Sequence, residues 1–63
     1  STAKVGERSL EMISAQEIDR MLRQRDLARK AKDYGEADRI RQHLTAHGVI
    51  LEDTPQGTTW RRQ

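Results

Sequence analysis

Apolar residues recur at helical spacing in the first of two amphipathic stretches of this chain. The stripe consists of Ile18, Met21, Leu22 and Ala28. Ser14 stands just before it and Glu17 follows three residues later, which is the spacing of a capping box. The pattern therefore predicts a first helix that begins near Ala15. Leu27 falls on the opposite face, so it is expected either to be exposed or to contact something outside this chain.

A second helical pattern follows after a short connection. Its apolar stripe consists of Ala37, Ile40 and Leu44. Asp33 can act as the N-cap, and Glu36 again follows three residues later. The helix is predicted to run to about His47, because Gly48 supplies the left-handed residue that commonly ends a helix. The short connection predicts an antiparallel pair of helices.

The residues after Gly48 change to a β pattern. Residues 49–51 are too few for a helix and rich in β-branched side chains, so they are predicted to form a strand. Residues 53–57 contain Pro and Gly and are predicted to turn, and residues 58–60 suit a returning strand. The predicted fold class is α+β, mainly α: an antiparallel two-helix hairpin followed by a small two-stranded β-hairpin.

Residues 1–14 show no sustained apolar period, and we interpret them as a variable linker that precedes a domain over residues 15–63. The chain begins at Ser1 without Met, so a piece of a larger protein is expected. Hydrophobic residues are 33% and charged residues 35% of the 63, and Phe is absent, so the core must be thin and aliphatic. No apolar run approaches the roughly 20 residues of a membrane span, so a cytoplasmic protein without membrane contact is expected.

Catalytic groups are hard to find in this sequence. Cysteine is absent, so a thiolate metal site is excluded. His43 and His47 stand at i and i+4, a spacing that can bind a metal, but a third ligand is not evident and helix-terminal histidines commonly interact with the last carbonyls. We therefore predict no catalytic residue, no metal site and no enzyme activity for the chain alone.

Binding is better supported than catalysis. On the second helix, Tyr34 neighbours Asp38 and Asp38 neighbours Arg41, so an aromatic ring, an acceptor and a fork-shaped donor share one flank. Unstacked RNA bases are bound by such groups. Simpler interpretations remain open: Asp38 as an ordinary ion-pair partner of Arg41, Asp53 as a turn residue, and Trp60 as a plug in the core beneath the hairpin.

Several ordered segments resemble the C-terminal end of bacterial cysteinyl-tRNA synthetases. These segments are Arg25-x-x-Ala28-Arg29-Lys30-x-Lys32-Asp33, Ala37-Asp38-x-Ile40-Arg41, Gly48-Val49-x-Leu51-Glu52-Asp53 and Pro55-Gln56-Gly57-Thr58-x-Trp60-Arg61. The resemblance implies an anticodon-binding domain that recognises the bases G, C and A of the cysteine tRNA. It places the ATP-dependent catalytic domain and the zinc site of the parent enzyme upstream of these residues, so no cofactor is expected here.

The resemblance also implies roles for individual residues. Arg29, Asp38 and Asp53 match positions that contact anticodon bases in the family, and Tyr34 and Trp60 match nearby family positions. Tyr34 departs from the Trp often found there. We expect the remaining cations to supply charge toward phosphates, namely Lys30, Lys32, Arg61 and Arg62.

Two other interpretations stay open at the level of sequence. One is a helical-hairpin module that binds another protein, although the segment from Leu51 to Arg61 does not fit such a module. The other is a free-standing paralogue that binds a different RNA.

Overall fold

The computed structural model describes residues 13–63, which form two helices followed by two strands. The helices are α1 (Ala15–Lys30) and α2 (Tyr34–Ala46), and the strands are β1 (Val49–Thr54) and β2 (Gly57–Arg62). The predicted architecture is therefore confirmed. The predicted linker lies almost wholly outside the described residues. Neither α1 nor α2 is long and apolar enough to cross a bilayer.

Both predicted N-caps form. The hydroxyl of Ser14 accepts a hydrogen bond from the backbone N–H of Glu17 at 3.1 Å, and the carboxylate of Asp33 accepts one from the N–H of Glu36 at 3.2 Å. Each cap satisfies one of the backbone donors that a helix leaves unpaired in its first turn. The starts of α1 and α2 are thus fixed by local side chains.

The capping box at the start of α2 lacks its second hydrogen bond, from the N–H of Asp33 to the Glu36 carboxylate, because Glu36 binds another side chain. The Glu36 carboxylate binds Arg39 through two contacts of 2.8 and 2.6 Å, and this pair lowers the pKa of Glu36 and raises that of Arg39. The N–H of Asp33, which Glu36 would have bound, instead donates to the carbonyl of Ala28 at 2.7 Å. The charge-assisted pair of Glu36 and Arg39 thus takes the place of that hydrogen bond, and the N–H of Asp33 still has a partner.

A tight turn joins the helices. The N–H of Asp33 bonds to the carbonyl of Ala28, and the N–H of Lys32 bonds to the carbonyl of Arg29 at 2.9 Å, which together make a Schellman motif. Lys32 adopts the left-handed conformation that this motif requires, with φ 62°. Asp33 therefore belongs both to the end of α1 and to the start of α2, and this shared residue makes the connection short.

The core is aliphatic and small, as predicted. Among residues 13–63, four side chains are completely buried, and they come from α1, α2 and β1: Ile18, Ile40, Leu44 and Val49. Partly buried side chains surround them, namely Ile13, Met21, Leu22, Leu51 and Trp60. Leu27 lies away from this cluster and is 66% exposed.

The hairpin is longer than the sequence pattern predicted. β1 continues to Thr54 and β2 begins at Gly57, so only Pro55 and Gln56 make the turn, which lies within the predicted residues 53–57 but is shorter. Thr54 closes the turn with its own hydroxyl, which donates to the carbonyl of Gly57 at 2.7 Å and accepts from the N–H of Gln56 at 3.2 Å. Gly57 takes a φ of 136°, which a side chain would strain.

The register divides the hairpin into two faces. Leu51 pairs with Trp60 and Asp53 pairs with Thr58, and cross-strand partners lie on the same face of a sheet. Since Leu51 and Trp60 pack against the core, Asp53 and Thr58 also point to the side on which the helices lie. One face of the hairpin thus carries apolar residues near its open end and polar residues near its turn.

Replacing Trp60 with alanine should lower the free energy of unfolding by about 2–3 kcal/mol. That is less than a fully buried tryptophan would lose, because the indole is only partly buried against the core. Urea denaturation followed by far-UV circular dichroism measures the loss. As a control, Leu27→Ala removes an exposed side chain and should change the free energy by no more than about 0.5 kcal/mol. Equal losses for the two variants would contradict the packing described here.

Candidate functional site

A concave surface lies where the end of α1, the start of α2 and the turn end of the hairpin meet. It comprises two adjoining depressions of about 380 and 290 Å³, and Arg29, Tyr34 and Asp53 line both. Asp38 lines one depression, and Lys30 lines the other. Four of the five residues predicted to take part in anticodon binding therefore surround one surface, although they come from three elements.

Asp53 is the most strongly held side chain of this surface. Arg25 donates to both carboxylate oxygens, Nη1 to Oδ1 at 3.3 Å and Nη2 to Oδ2 at 3.2 Å. The Thr58 hydroxyl donates to Oδ1 at 2.7 Å, and Arg29 Nη1 lies 3.5 Å from the same oxygen. The hydrogen bonds from Arg25, and then that from Thr58, hold the pKa of Asp53 below its ordinary value of 3.8.

Arg25 was not among the predicted site residues. It is only 8% exposed, and its guanidinium group reaches from α1 to the hairpin. The sequence feature that could have identified Arg25 is its place on the apolar stripe of α1. An arginine there requires a partner, because a buried charge is costly when unpaired. The position of Arg25 therefore indicates a carboxylate nearby, but not which one.

The two predicted groups on α2 are accessible. Tyr34 is the first residue of the helix and is 62% exposed. Asp38 lies one turn later, and its two oxygens accept from different neighbours, Oδ1 from Arg41 Nη2 at 2.6 Å and Oδ2 from Gln42 Nε2 at 2.7 Å. Each oxygen of a carboxylate has two acceptor positions, so Asp38 retains capacity for a ligand.

Trp60 lies apart from the concave surface. Its ring packs against the core, and the guanidinium carbon of Arg62 lies 5.4 Å from the ring centroid, within the range of a cation–π interaction. Of the two predicted interpretations, the packing corresponds to the core plug.

The predicted charge-supplying residues lie at separate places. Lys30 lines the concave surface, with its Nζ 3.0 Å from Asp26. Lys32 occupies the turn between the helices, and Arg61 pairs with Ile50 on the hairpin face opposite to that of Asp53, 3.9 Å from Glu52. Only Lys30 is adjacent to the four grouped residues.

His43 and His47 interact with each other at the end of α2. Their ring centroids are 4.4 Å apart, and Nδ1 of His47 lies 2.9 Å from the carbonyl oxygen of His43. Residues 13–63 contain no group of three or more potential metal ligands. The His47 contact is of the kind expected for a histidine that satisfies a terminal carbonyl of a helix.

These features define a small α+β domain that presents an aromatic ring, carboxylates and a guanidinium group around one concave surface. A family model described as "Cysteinyl-tRNA ligase anticodon binding domain" matches residues 14–61. The chain belongs to this family, and the predicted resemblance is confirmed.

Curated relatives agree with this assignment. The chain is 62% identical over 50 residues to the cysteine–tRNA ligase of Methylobacillus flagellatus, a match that covers 79% of this chain and 11% of that protein. It is 62% identical over 48 residues to that of Halorhodospira halophila (76% and 10%) and 60% identical over 47 residues to that of Lacticaseibacillus casei (75% and 10%). The chain thus spans about a tenth of the length of these relatives.

Acidification should weaken the domain through Asp53. Because the pKa of this carboxyl is lowered by folding, its contribution to stability is present above about pH 4 and is lost as the pH falls through the folded-state pKa. Asp53→Asn should therefore be less stable than the wild type near pH 7 by about 1 kcal/mol, a modest value because the side chain is half exposed and screened. As the pH falls toward 2 the difference should shrink, because the Asp53 carboxyl becomes protonated.

Thermal unfolding followed by circular dichroism at both pH values tests this expectation. Asp26→Asn is the matched control, since Asp26 forms an exposed pair with Lys30 and its loss should cost a few tenths of a kcal/mol. A difference between Asp53→Asn and the wild type that persists undiminished near pH 2 would mean that the ion pair is not its cause.

Proposed function

We propose that the concave surface binds the anticodon loop of the cysteine tRNA and recognises its bases G, C and A. Membership of the family supports anticodon binding. The observation that carries the residue assignments is the grouping of Arg29, Tyr34, Asp38 and Asp53 around one surface, although they are far apart in sequence. Such a set can hold bases that are splayed out of a loop, because it offers a stacking plane together with fixed donors and acceptors.

Asp38 is proposed to accept a hydrogen bond from the amino group of one base. The side chain is half exposed, and Arg41 and Gln42 hold its two oxygens from the neighbouring turn of α2. These contacts fix the direction of the carboxylate before the RNA arrives, so little side-chain entropy is lost on binding. The ion pair of Asp38 with Arg41, which the sequence analysis gave as an alternative to base recognition, therefore supports base recognition.

Arg29 and Asp53 are proposed to act on a second base as a donor and an acceptor side by side. Asp53 is the one ion-pair partner of Arg29 among residues 13–63, and it faces only Nη1 at 3.5 Å. The other N–H groups of this guanidinium remain available, and the side chain is 46% exposed. An arginine can donate to base carbonyl or ring-nitrogen acceptors while the neighbouring carboxylate accepts from an amino group.

Tyr34 is proposed to stack on a base. Its exposure at the rim of both depressions supports this role, since a large aromatic side chain gains nothing from the core there. Trp60, packed against the core, is proposed to act on RNA only indirectly, by holding the hairpin that carries Asp53.

Lys30 is the cation placed to face a phosphate next to the bases. Lys32, Arg61 and Arg62 add longer-range charge.

The longer protein is proposed to be a cysteine–tRNA ligase that uses ATP and carries zinc. The support for a ligase is that the relatives are cysteine–tRNA ligases, each about ten times longer than the matched region, while ATP and zinc are what the family resemblance implies. In that protein, this domain would select the tRNA while upstream domains perform the chemistry.

Asp38→Ala should relax base discrimination at a single anticodon position by about 1–3 kcal/mol. The measurement is NMR titration of the 63-residue chain with anticodon stem–loops that carry GCA or one of its single-base variants. The ratio of dissociation constants is the relevant quantity, because removing Asp38 also leaves Arg41 unpaired and adds non-specific attraction. Unchanged discrimination would mean that Asp38 serves only Arg41.

Two control variants separate base recognition from charge. Glu52→Ala removes a carboxylate from the opposite face of the hairpin and should leave discrimination intact. Lys30→Ala should weaken all stem–loops to a similar degree and reduce the slope of binding against salt concentration. If Lys30→Ala changed the preference for one base instead, its assignment to phosphate would be wrong.

A further inference from the structure

Asp53 is held from two sides that differ in burial. Arg25 approaches from the interior with a side chain that is 10% exposed, whereas Arg29 approaches from the surface with a side chain that is 46% exposed. The inner contact joins Nη1 and Nη2 of Arg25 to the two carboxylate oxygens, and the outer contact is single and longer, at 3.5 Å. The inner arginine therefore determines the orientation of the carboxylate.

The contacts of the two carboxylate oxygens are unequal. Among residues 13–63, Oδ1 is surrounded by Arg25 Nη1, the Thr58 hydroxyl and Arg29 Nη1, whereas Oδ2 accepts only from Arg25 Nη2. A carboxylate oxygen has two acceptor positions, so Oδ1 is saturated and Oδ2 has one position left. Asp53 is 53% exposed at its side chain and lines both depressions, so this position is open to a ligand.

We infer that Arg25 is a positioning residue for specificity: it fixes Asp53 so that a single acceptor position, on Oδ2, faces the bound base. One fixed acceptor accepts an amino group and repels a carbonyl oxygen at the same place, whereas a carboxylate free to rotate would accept donors from several directions. This inference rests on the proposed function and adds a residue that acts on recognition through Asp53.

The conservative variant Arg25→Lys tests the inference. Lysine keeps the positive charge but has a single nitrogen, so it cannot contact both oxygens in parallel. The RNA probes are the GCA stem–loop and three analogues in which one amino group is lost: inosine for G, pyrimidin-2-one riboside for C and purine riboside for A. For each protein, the ratio of the dissociation constant of every analogue to that of GCA is measured.

The variant Asp53→Asn first identifies the anticodon position whose recognition depends on Asp53. At that position the wild type should bind GCA roughly tenfold more tightly than the analogue that lacks the amino group. Arg25→Lys should lose discrimination at the same position, where its ratio of dissociation constants should be close to one. It should keep the wild-type ratio at the other position, where Asp38→Asn abolishes discrimination. The double variant of Arg25 and Asp53 should lose no more than Asp53→Asn alone. Carbon-13 NMR of the free protein should show the pKa of Asp53 moving up in Arg25→Lys.

Two further variants guard against an effect on folding. Arg39→Lys alters an equally bidentate pair with Glu36 that lies outside the concave surface, and it should change no ratio. Thr58→Val keeps the β-branched shape but removes the hydroxyl that occupies Oδ1, so it should lower the ratio at the Asp53 position only, by less than Arg25→Lys. Thr58→Val decides the question if Arg25→Lys does not fold.

The outcomes separate this inference from the function on which it rests. A wild-type chain that binds all four stem–loops equally overturns the proposed function, and the inference with it. A ratio at the Asp53 position that is unchanged from the wild type in Arg25→Lys, or in Thr58→Val where that variant decides, overturns the inference alone. Equal loss at all three positions in Arg25→Lys also overturns it, because a residue needed only for the fold would give that result.

Discussion

The ion pair between Arg25 and Asp53 is the contact on which the part of this domain that carries the concave surface depends. The aliphatic core joins α1, α2 and the open end of the hairpin, but it does not extend to the turn end, where the face of the sheet becomes polar. There the buried guanidinium of Arg25 holds the hairpin against α1, with Thr58 completing the carboxylate's contacts. A small hydrophobic core is thus supplemented by one directional polar contact, which brings residues of three elements to a common surface.

A buried arginine is an expensive way to join two elements, since apolar residues of similar size often stabilise a fold as well or better. Its advantage here is geometric. A parallel pair of hydrogen bonds fixes the plane of the Asp53 carboxylate, which packing between methyl groups could not do. The exposed pair of Asp38 with Arg41 and Gln42 does the same for the second carboxylate from within a single helix. Asp38 and Asp53 are therefore both oriented by cationic or amide neighbours before any ligand arrives.

Local signals explain why much of the fold could be predicted from sequence. The N-caps Ser14 and Asp33, the apolar stripes and Gly48 each act within a few residues, and all are found as expected. The Arg25–Asp53 pair spans 28 residues, so no spacing within one element could reveal it. The ends of the strands were missed because the turn closes through the Thr54 hydroxyl, a choice that composition does not specify. Sequence resemblance named Arg29, Tyr34, Asp38 and Asp53, whereas only the fold brings them together.

The length of the hairpin turn has a consequence for how this domain can vary. Because the side chains of a strand alternate between faces, the register that places Trp60 against the core also places Asp53 and Thr58 toward the helices. The two residues Pro55 and Gln56 set that register. One residue inserted in β2 between Gly57 and Trp60 would have to be absorbed as a bulge. Otherwise either Trp60 or the pair of Asp53 and Thr58 would point to the other face of the hairpin. Insertions and deletions should therefore be rarer between Gly57 and Trp60 than the solvent exposure of this segment alone would predict.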